Sequence, residues 1–208
     1  MNRKLPVLTE HSISSVMSSR LAVADAFERE IIKEADTSGK PLSCHSGCDS
    51  CCYHPVFLTV TEGILLYRHL VSAGKWSPTF KKSLEAHADM VRELDFPVWL
   101  LSMVACPLLD KNSRKCTVYD ARPFQCRVTY SLGDAYNCHP HRILNSGIVS
   151  RAKTTEEFHS LISKATKKHG ITMISMPLSV AILIGEQIVS GAVDLENADM
   201  AILKDYLE

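Results

Sequence analysis

The chain has 208 residues with 23 basic and 23 acidic side chains, so no bulk charge points to nucleic acid or an acidic membrane surface. A chain of this length buries a sizeable core unaided, so its eight cysteines are not needed as staples for a small fold. Met1 to Pro6 leads into Glu10 and His11 without an apolar run, which predicts no signal peptide and a reducing, cytoplasmic setting.

Ile13, Val16, Met17, Leu21, Ala24, Phe27 and Ile31 recur at helical spacing and predict a helix over 12–36, ended by Gly39 and Pro41. Cys44, Cys48, Cys51 and Cys52 follow at once in a loop that closes at His54-Pro55. A second helix is expected from about Thr61 to Ala73, stopped by Gly74. Ser77-Pro78, a capping hydroxyl before a proline, starts a third that reaches about Leu94 and carries Phe80, Leu84, His87 and Val91 on one face.

From Phe96 to about His141 the periodicity fades, and Cys106, Cys116, Cys126 and Cys138 appear on what read as short turns. Thr154-Thr155-Glu156-Glu157 is a capping-box start for a helix to Lys168. Ser175-Met176-Pro177 is expected to open another, ending near Gly191, and Asn197 to Leu207 a short amphipathic one. The apolar stretch Ile171–Val189 is broken by Pro177, Gly185, Glu186 and Gln187, so it reads as a buried helix and no membrane insertion is expected. The expected architecture is mainly α: a single domain over 1–208, with helical segments 12–36 and 154–207 flanking an irregular, cysteine-rich metal-binding centre over 44–138.

Thiols grouped in this way, without a sign of export, point to a metal more than to disulfides. Cys48-x2-Cys51 is a chelate loop and Cys44 lies one turn upstream, so three thiolates reach one zinc ion or one iron–sulfur cluster. Gly47 relaxes the backbone between them. Adjacent residues rarely aim both side chains at one ion, which leaves Cys52 for a second metal, a bridge or the core. The same Cys44-x3-Cys48-x2-Cys51 spacing occurs in radical enzymes that use S-adenosylmethionine, but the alternating strands and helices of their barrel are missing here.

The second group gains meaning from its neighbours. Cys106-Pro107-Leu108-Leu109, followed by Cys116-Thr117-Val118-Tyr119-Asp120-Ala121-Arg122-Pro123-Phe124-Gln125-Cys126-Arg127, resembles the CxxCxxCC cysteine-cluster family of zinc- or iron-chelating, YkgJ-like proteins. All eight cysteines find a place in that family's pattern, over about residues 44–138. The first spacing is three residues here where two is commoner. The resemblance implies a bound metal, and a module of this kind occurs in flagellin lysine-N-methylases. No glycine-rich nucleotide loop accompanies it in this chain.

The expected cofactor is an iron–sulfur cluster, 4Fe-4S, with zinc as the alternative. Cys44, Cys48, Cys51 and Cys126 are the first choice for a single cluster, with Cys52 and Cys138 next. Four thiolates leave such a site about two charges negative. Arg122 and Arg127 bracket Cys126 and are the candidate donors to sulfur or to the carbonyls that hold the loop. Pro123 would fix the turn presenting Cys126, and Tyr119 reads as a core aromatic. His45, His54, His139 and His141 flank the cysteines and could replace one as ligand. Met173 and Met176 read as core filling, and Trp76 and Trp99 are too scattered for base stacking. With no catalytic constellation legible, the expected role is structural or partner-binding, with a protein partner or larger assembly; the alternatives are an electron-transfer accessory and a zinc interaction module.

Overall fold

The computed structural model describes residues 10–142, 148–149, 160 and 175–192. In chain order its elements are α1 (Glu10–Ser38), β1 (Phe57–Thr59), α2 (Val60–Ser72), α3 (Pro78–Arg92), α4 (Phe96–Leu101), β2 (Leu109–Asp110), β3 (Lys115–Cys116), α5 (Phe124–Arg127), β4 (Tyr130–Ser131), β5 (Ile148–Val149), β6 (Ser175–Pro177) and α6 (Leu178–Val189). The protein is mainly helical, as its periodicities predict. The helices expected over 154–168, apart from residue 160, and over 197–207, and Met173, lie outside the described residues. Contacts gather the chain into two compact units, one drawn from Met1–Arg20, Phe57–Arg92 and Glu157–Glu208, the other from Leu21–Val56 and Glu93–Glu156.

In the first unit β1 pairs antiparallel with β6, Leu58 opposite Met176, and each strand runs straight into a helix. Ser175–Pro177 is therefore strand where a helix start is expected. Pro177, with φ −49° and ψ 141°, has extended geometry and becomes the N-cap of α6 instead. The helices α2 and α6 cross at glycine: a Cβ on Gly63 would lie 2.0 Å from the Ala181 carbonyl oxygen, and one on Gly185 would lie 2.5 Å from the Gly63 carbonyl carbon.

The start of α2 is set by a capping box. The Thr59 hydroxyl accepts from the Glu62 N–H, and the Glu62 carboxylate accepts from the Thr59 N–H at 3.0 Å. Arg20, 3% exposed, donates to the Thr59 hydroxyl at 3.0 Å and pairs with Glu62 at 2.9 Å, so the buried carboxylate keeps a cation. Ser77 caps α3 as its sequence predicts, accepting from the Phe80 N–H at 3.1 Å. Leu84, His87 and Val91 on α3 are buried, and His87 Nδ1 lies 3.0 Å from the Ser179 hydroxyl. Met176 is buried, as expected of core filling. No helix among the described residues is long and apolar enough to cross a membrane.

In the second unit Phe27 and Ile31 on α1 pack with Tyr130 and Leu132 in a small core. Gly39, at φ +66°, turns the chain out of α1. The following segment pairs with 131–133: Ser43 N–H donates to the Ser131 carbonyl at 3.0 Å, and Gly133 N–H to the Pro41 carbonyl at 2.8 Å. Cys44 is the next residue.

Candidate metal centre

All eight cysteines lie in the second unit, and none is joined in a disulfide. The first loop is built by local turns. Gly47 adopts φ +98°, and the Cys48 N–H donates to the His45 carbonyl at 3.1 Å. Asp49 is only 5% exposed, and its carboxylate takes two bonds from Arg114, at 2.8 Å from Nε and 2.5 Å from a terminal nitrogen. That pair ties the loop to the β2–β3 hairpin. Cys51 and Cys52 occupy a single 3-10 turn, Ser50–Tyr53.

The second group arrives on separate short elements, which explains its unhelpful spacing. The Cys106 N–H donates to the Cys52 carbonyl at 2.7 Å, so it docks directly on the vicinal pair. Cys116 lies on β3 opposite Leu109, in a hairpin whose turn is closed by Asp110 accepting from the Asn112 N–H at 2.9 Å. Cys126 is carried by α5, and Pro123 is that helix's N-cap, the presenting position expected of it. Cys138 ends the 3-10 turn Ala135–Cys138. Ser131, fully buried, donates its N–H to Cys44 Sγ at 3.2 Å and its hydroxyl to the Asp134 carbonyl at 3.4 Å, and that hydroxyl favours the Cys138 thiolate.

The thiols influence one another in a pattern. Burial pushes Cys44 up to about 11; the Ser131 N–H pulls it back, and Cys138, Cys51 and Cys48 push it further. Cys138 is raised by burial, eased by the Ser131 hydroxyl and raised again by Cys51 and Cys48. Burial lifts Cys106 to about 12, against an N–H from Leu108, with Cys116 and Cys51 adding to the rise. Cys126 stands well above the ordinary thiol range through burial and through Cys51, Cys106 and Cys116. Cys51 is raised first by its hydrogen bond to Cys52 and then by burial. Without a cation among them these five are neutral thiols at pH 7. A metal reverses that, because its ligands bind as thiolates and loading releases their protons.

The candidate donors take distinct places. The Arg122 charge favours the thiolates of Cys51 and Cys126, while its guanidinium lies 3.9 Å over the Tyr119 ring and its Nε donates to the Tyr119 carbonyl at 3.0 Å. Arg127 grips backbone, donating to the carbonyls of Arg122, at 3.2 Å, and Asp120. Among the histidines, exposed His45 bonds the Ser43 carbonyl through Nδ1, and His139 stacks on His141. His54 Nε2 bonds the Cys138 carbonyl, and burial holds this ring below the usual histidine range. Asp49, Arg114, Leu108 and Ser131 carry no sequence signal that sets them apart, because their roles come from contacts across long stretches of chain.

The donor set fits a thiophilic metal: eight free sulfurs in one unit, with backbone N–H groups turned toward Cys44 and Cys106. Among the described residues, no three ligating side chains are drawn close enough to form a closed coordination group. A family model matches residues 43–159, more than half of the chain. It is that of CxxCxxCC, the "Putative zinc- or iron-chelating domain".

The chain belongs to the CxxCxxCC family.

The match begins one residue before Cys44 and takes in every cysteine of this CxxCxxCC domain. No curated protein and no solved structure matches the chain. Metal binding is therefore the level at which the CxxCxxCC family describes the site, by zinc or iron.

Proposed function

We propose that this protein is a metal-binding module that holds an iron–sulfur cluster of the 4Fe-4S type among its cysteines, in a structural, partner-binding role. The supporting observation is the set of donors turned onto buried sulfur. The Ser131 N–H reaches Cys44, the Leu108 N–H reaches Cys106, and the Arg122 charge favours the thiolates of Cys51 and Cys126. Hydrogen bonds to sulfur, net charge and burial are the levers by which a protein stabilises and tunes such a cluster. Its cysteines sit on separate short segments (loops, 3-10 turns, the strand β3 and the one-turn helix α5), so a bound metal would join these segments into one body.

A partner role draws support from α4. Phe96, Val98 and Leu101 are 53%, 50% and 49% exposed there, while Trp99 is buried. Apolar side chains presented together on a charge-balanced protein suit a protein interface. A reducing compartment, where thiolate sites persist, is the setting in which this module would work.

Zinc is the second reading, favoured by the number of donors: eight thiols complete two tetrahedral four-cysteine sites. Anaerobic purification followed by an optical spectrum and iron, zinc and acid-labile sulfide analysis separates the two. Broad visible absorption with iron and sulfide in equal amounts is expected. A colourless protein with stoichiometric zinc and no sulfide overturns the cluster in favour of zinc. A reduction titration then distinguishes a structural cluster, silent over accessible potentials, from an electron carrier.

A further inference from the structure

We infer that Arg114 is the positioning residue that sets the first cysteine loop against the β2–β3 hairpin, a role that rests on the metal-binding reading above. Its backbone is kept in the left-handed region to deliver that contact.

Two residues depart from their local preferences, and one contact accounts for both. Asp110 pairs with Lys115 across the hairpin, so its loop is 111–114. The Asp110 carboxylate accepts from the Asn112 N–H at 2.9 Å and from the Ser113 hydroxyl at 2.7 Å, which fixes the first part of the turn. Arg114 then adopts φ +55°. Glycine or asparagine suits that conformation at the end of a hairpin loop, because a Cβ there crowds the backbone. An arginine side chain at this place leaves the turn altogether and reaches Asp49.

Asp49 is the second departure. It stands at the N-cap of the 3-10 turn Ser50–Tyr53, where a carboxylate ordinarily accepts from the turn's own N–H groups, yet its side chain makes no such bond. Its carbonyl opens the turn by accepting from the Cys52 N–H at 2.8 Å, while its carboxylate is given to the hairpin. Each oxygen takes one nitrogen of Arg114, Nε at 2.8 Å and a terminal nitrogen at 2.5 Å. The Asp49 side chain is 7% exposed and that of Arg114 67%, so a buried carboxylate lies under a guanidinium that faces solvent.

A buried carboxylate needs a cation, and the two-pronged fit fixes direction as well as distance. Lysine would supply the charge without the fork. Asp49 follows Cys48 and opens the turn of Cys51 and Cys52, so the pair sets where those thiols stand relative to Cys116 on β3. The Cys106 N–H holds the Cys52 carbonyl within the same turn; Arg114 holds its start.

The test follows amide hydrogen exchange, segment by segment, in the reduced, metal-free full chain. Arg114→Gly suits the left-handed backbone and removes only the fork. Exchange over 46–54 should rise about tenfold, as expected on losing a charge-assisted contact, while α2 and α6 keep wild-type rates. Arg114→Lys should fall between. Asp49→Asn should match Arg114→Gly, and combining the two should add nothing further, since both remove one contact. Wild-type exchange over 46–54 in Arg114→Gly overturns the positioning role. A rise of equal size throughout the chain also overturns it, because that marks general destabilisation. Cobalt(II) as a coloured probe separates this role from the metal-binding reading. Wild-type protein should develop thiolate-to-cobalt absorption, and Arg114→Gly should bind cobalt several-fold more weakly; equal affinity overturns the positioning role. No uptake of cobalt, zinc or iron by the wild type overturns metal binding and leaves the exchange result standing.

Discussion

Replacing Gly63 by alanine tests the closest approach in the first unit and needs no metal. Two effects oppose each other. Alanine in a helix interior is worth about 1 kcal/mol over glycine, so propensity alone predicts stabilisation. Against that, the new Cβ would lie 2.0 Å from the Ala181 carbonyl oxygen and 2.5 Å from its carbonyl carbon, both backbone atoms. No rotamer relieves such a contact, so α2 and α6 must move apart at their crossing. Overpacking a well-filled core costs about 1–3 kcal/mol, and a backbone collision belongs at the upper end. The net expectation is a loss of about 2 kcal/mol. In urea with a slope of about 2 kcal/mol/M, that moves the unfolding midpoint down by about 1 M, read by far-ultraviolet circular dichroism. Gly185→Ala should change stability in the same direction, since its Cβ would meet the Gly63 backbone from the other side. An unchanged or raised midpoint in Gly63→Ala would refute the crossing.

Arg20→Ala removes the cation from the buried Glu62 carboxylate, 5% exposed, and should cost about 3–5 kcal/mol in the same urea titration. Arg114→Ala frees Asp49 and loosens the loop that carries Cys48 and Cys51. Metal transfer to a chelator should accelerate several-fold in this variant while the helical signal of the wild type persists. The pH response separates bare from loaded protein. Cys44 rises from 9.0 to about 11 on folding, so the neutral thiol stabilises the metal-free fold below pH 9. That contribution is lost as pH climbs through about 11. Metal-free protein should therefore lose thermal stability between pH 9 and 11, whereas loaded protein, its thiols already ionised, should not. In the acid direction loaded protein should shed its metal as protons compete for sulfur.

Helix α3 was readable because Ser77-Pro78 states its start locally and Leu84, His87 and Val91 repeat at helical spacing. The β1–β6 pair was not. Three residues are too few to show a period, and the partner strand lies far along the chain, so Ser175-Met176-Pro177 reads as a helix start in the sequence and pairs as strand with Phe57–Thr59 in the fold. The cysteines were legible as donors, and the first loop as a chelate, because both are local patterns. Cys106, Cys116, Cys126 and Cys138 were spaced by an intervening hairpin, a one-turn helix and a 3-10 turn, which no simple periodicity encodes. Their neighbours Tyr119, Arg122, Pro123 and Arg127 made the pattern readable. Ser131 and the Asp49–Arg114 pair stayed hidden, since a buried serine or a surface arginine becomes informative only when its distant partner is known.

Counting reactive thiols before and after metal removal tests the central claim most directly. In anaerobically prepared, metal-loaded protein a thiol reagent should find the cysteines masked under native conditions. After a chelator and denaturant, all eight should react while the metal appears in solution. If all eight react at once in the folded protein and no zinc or iron is released, the cysteines are not metal ligands and the account fails.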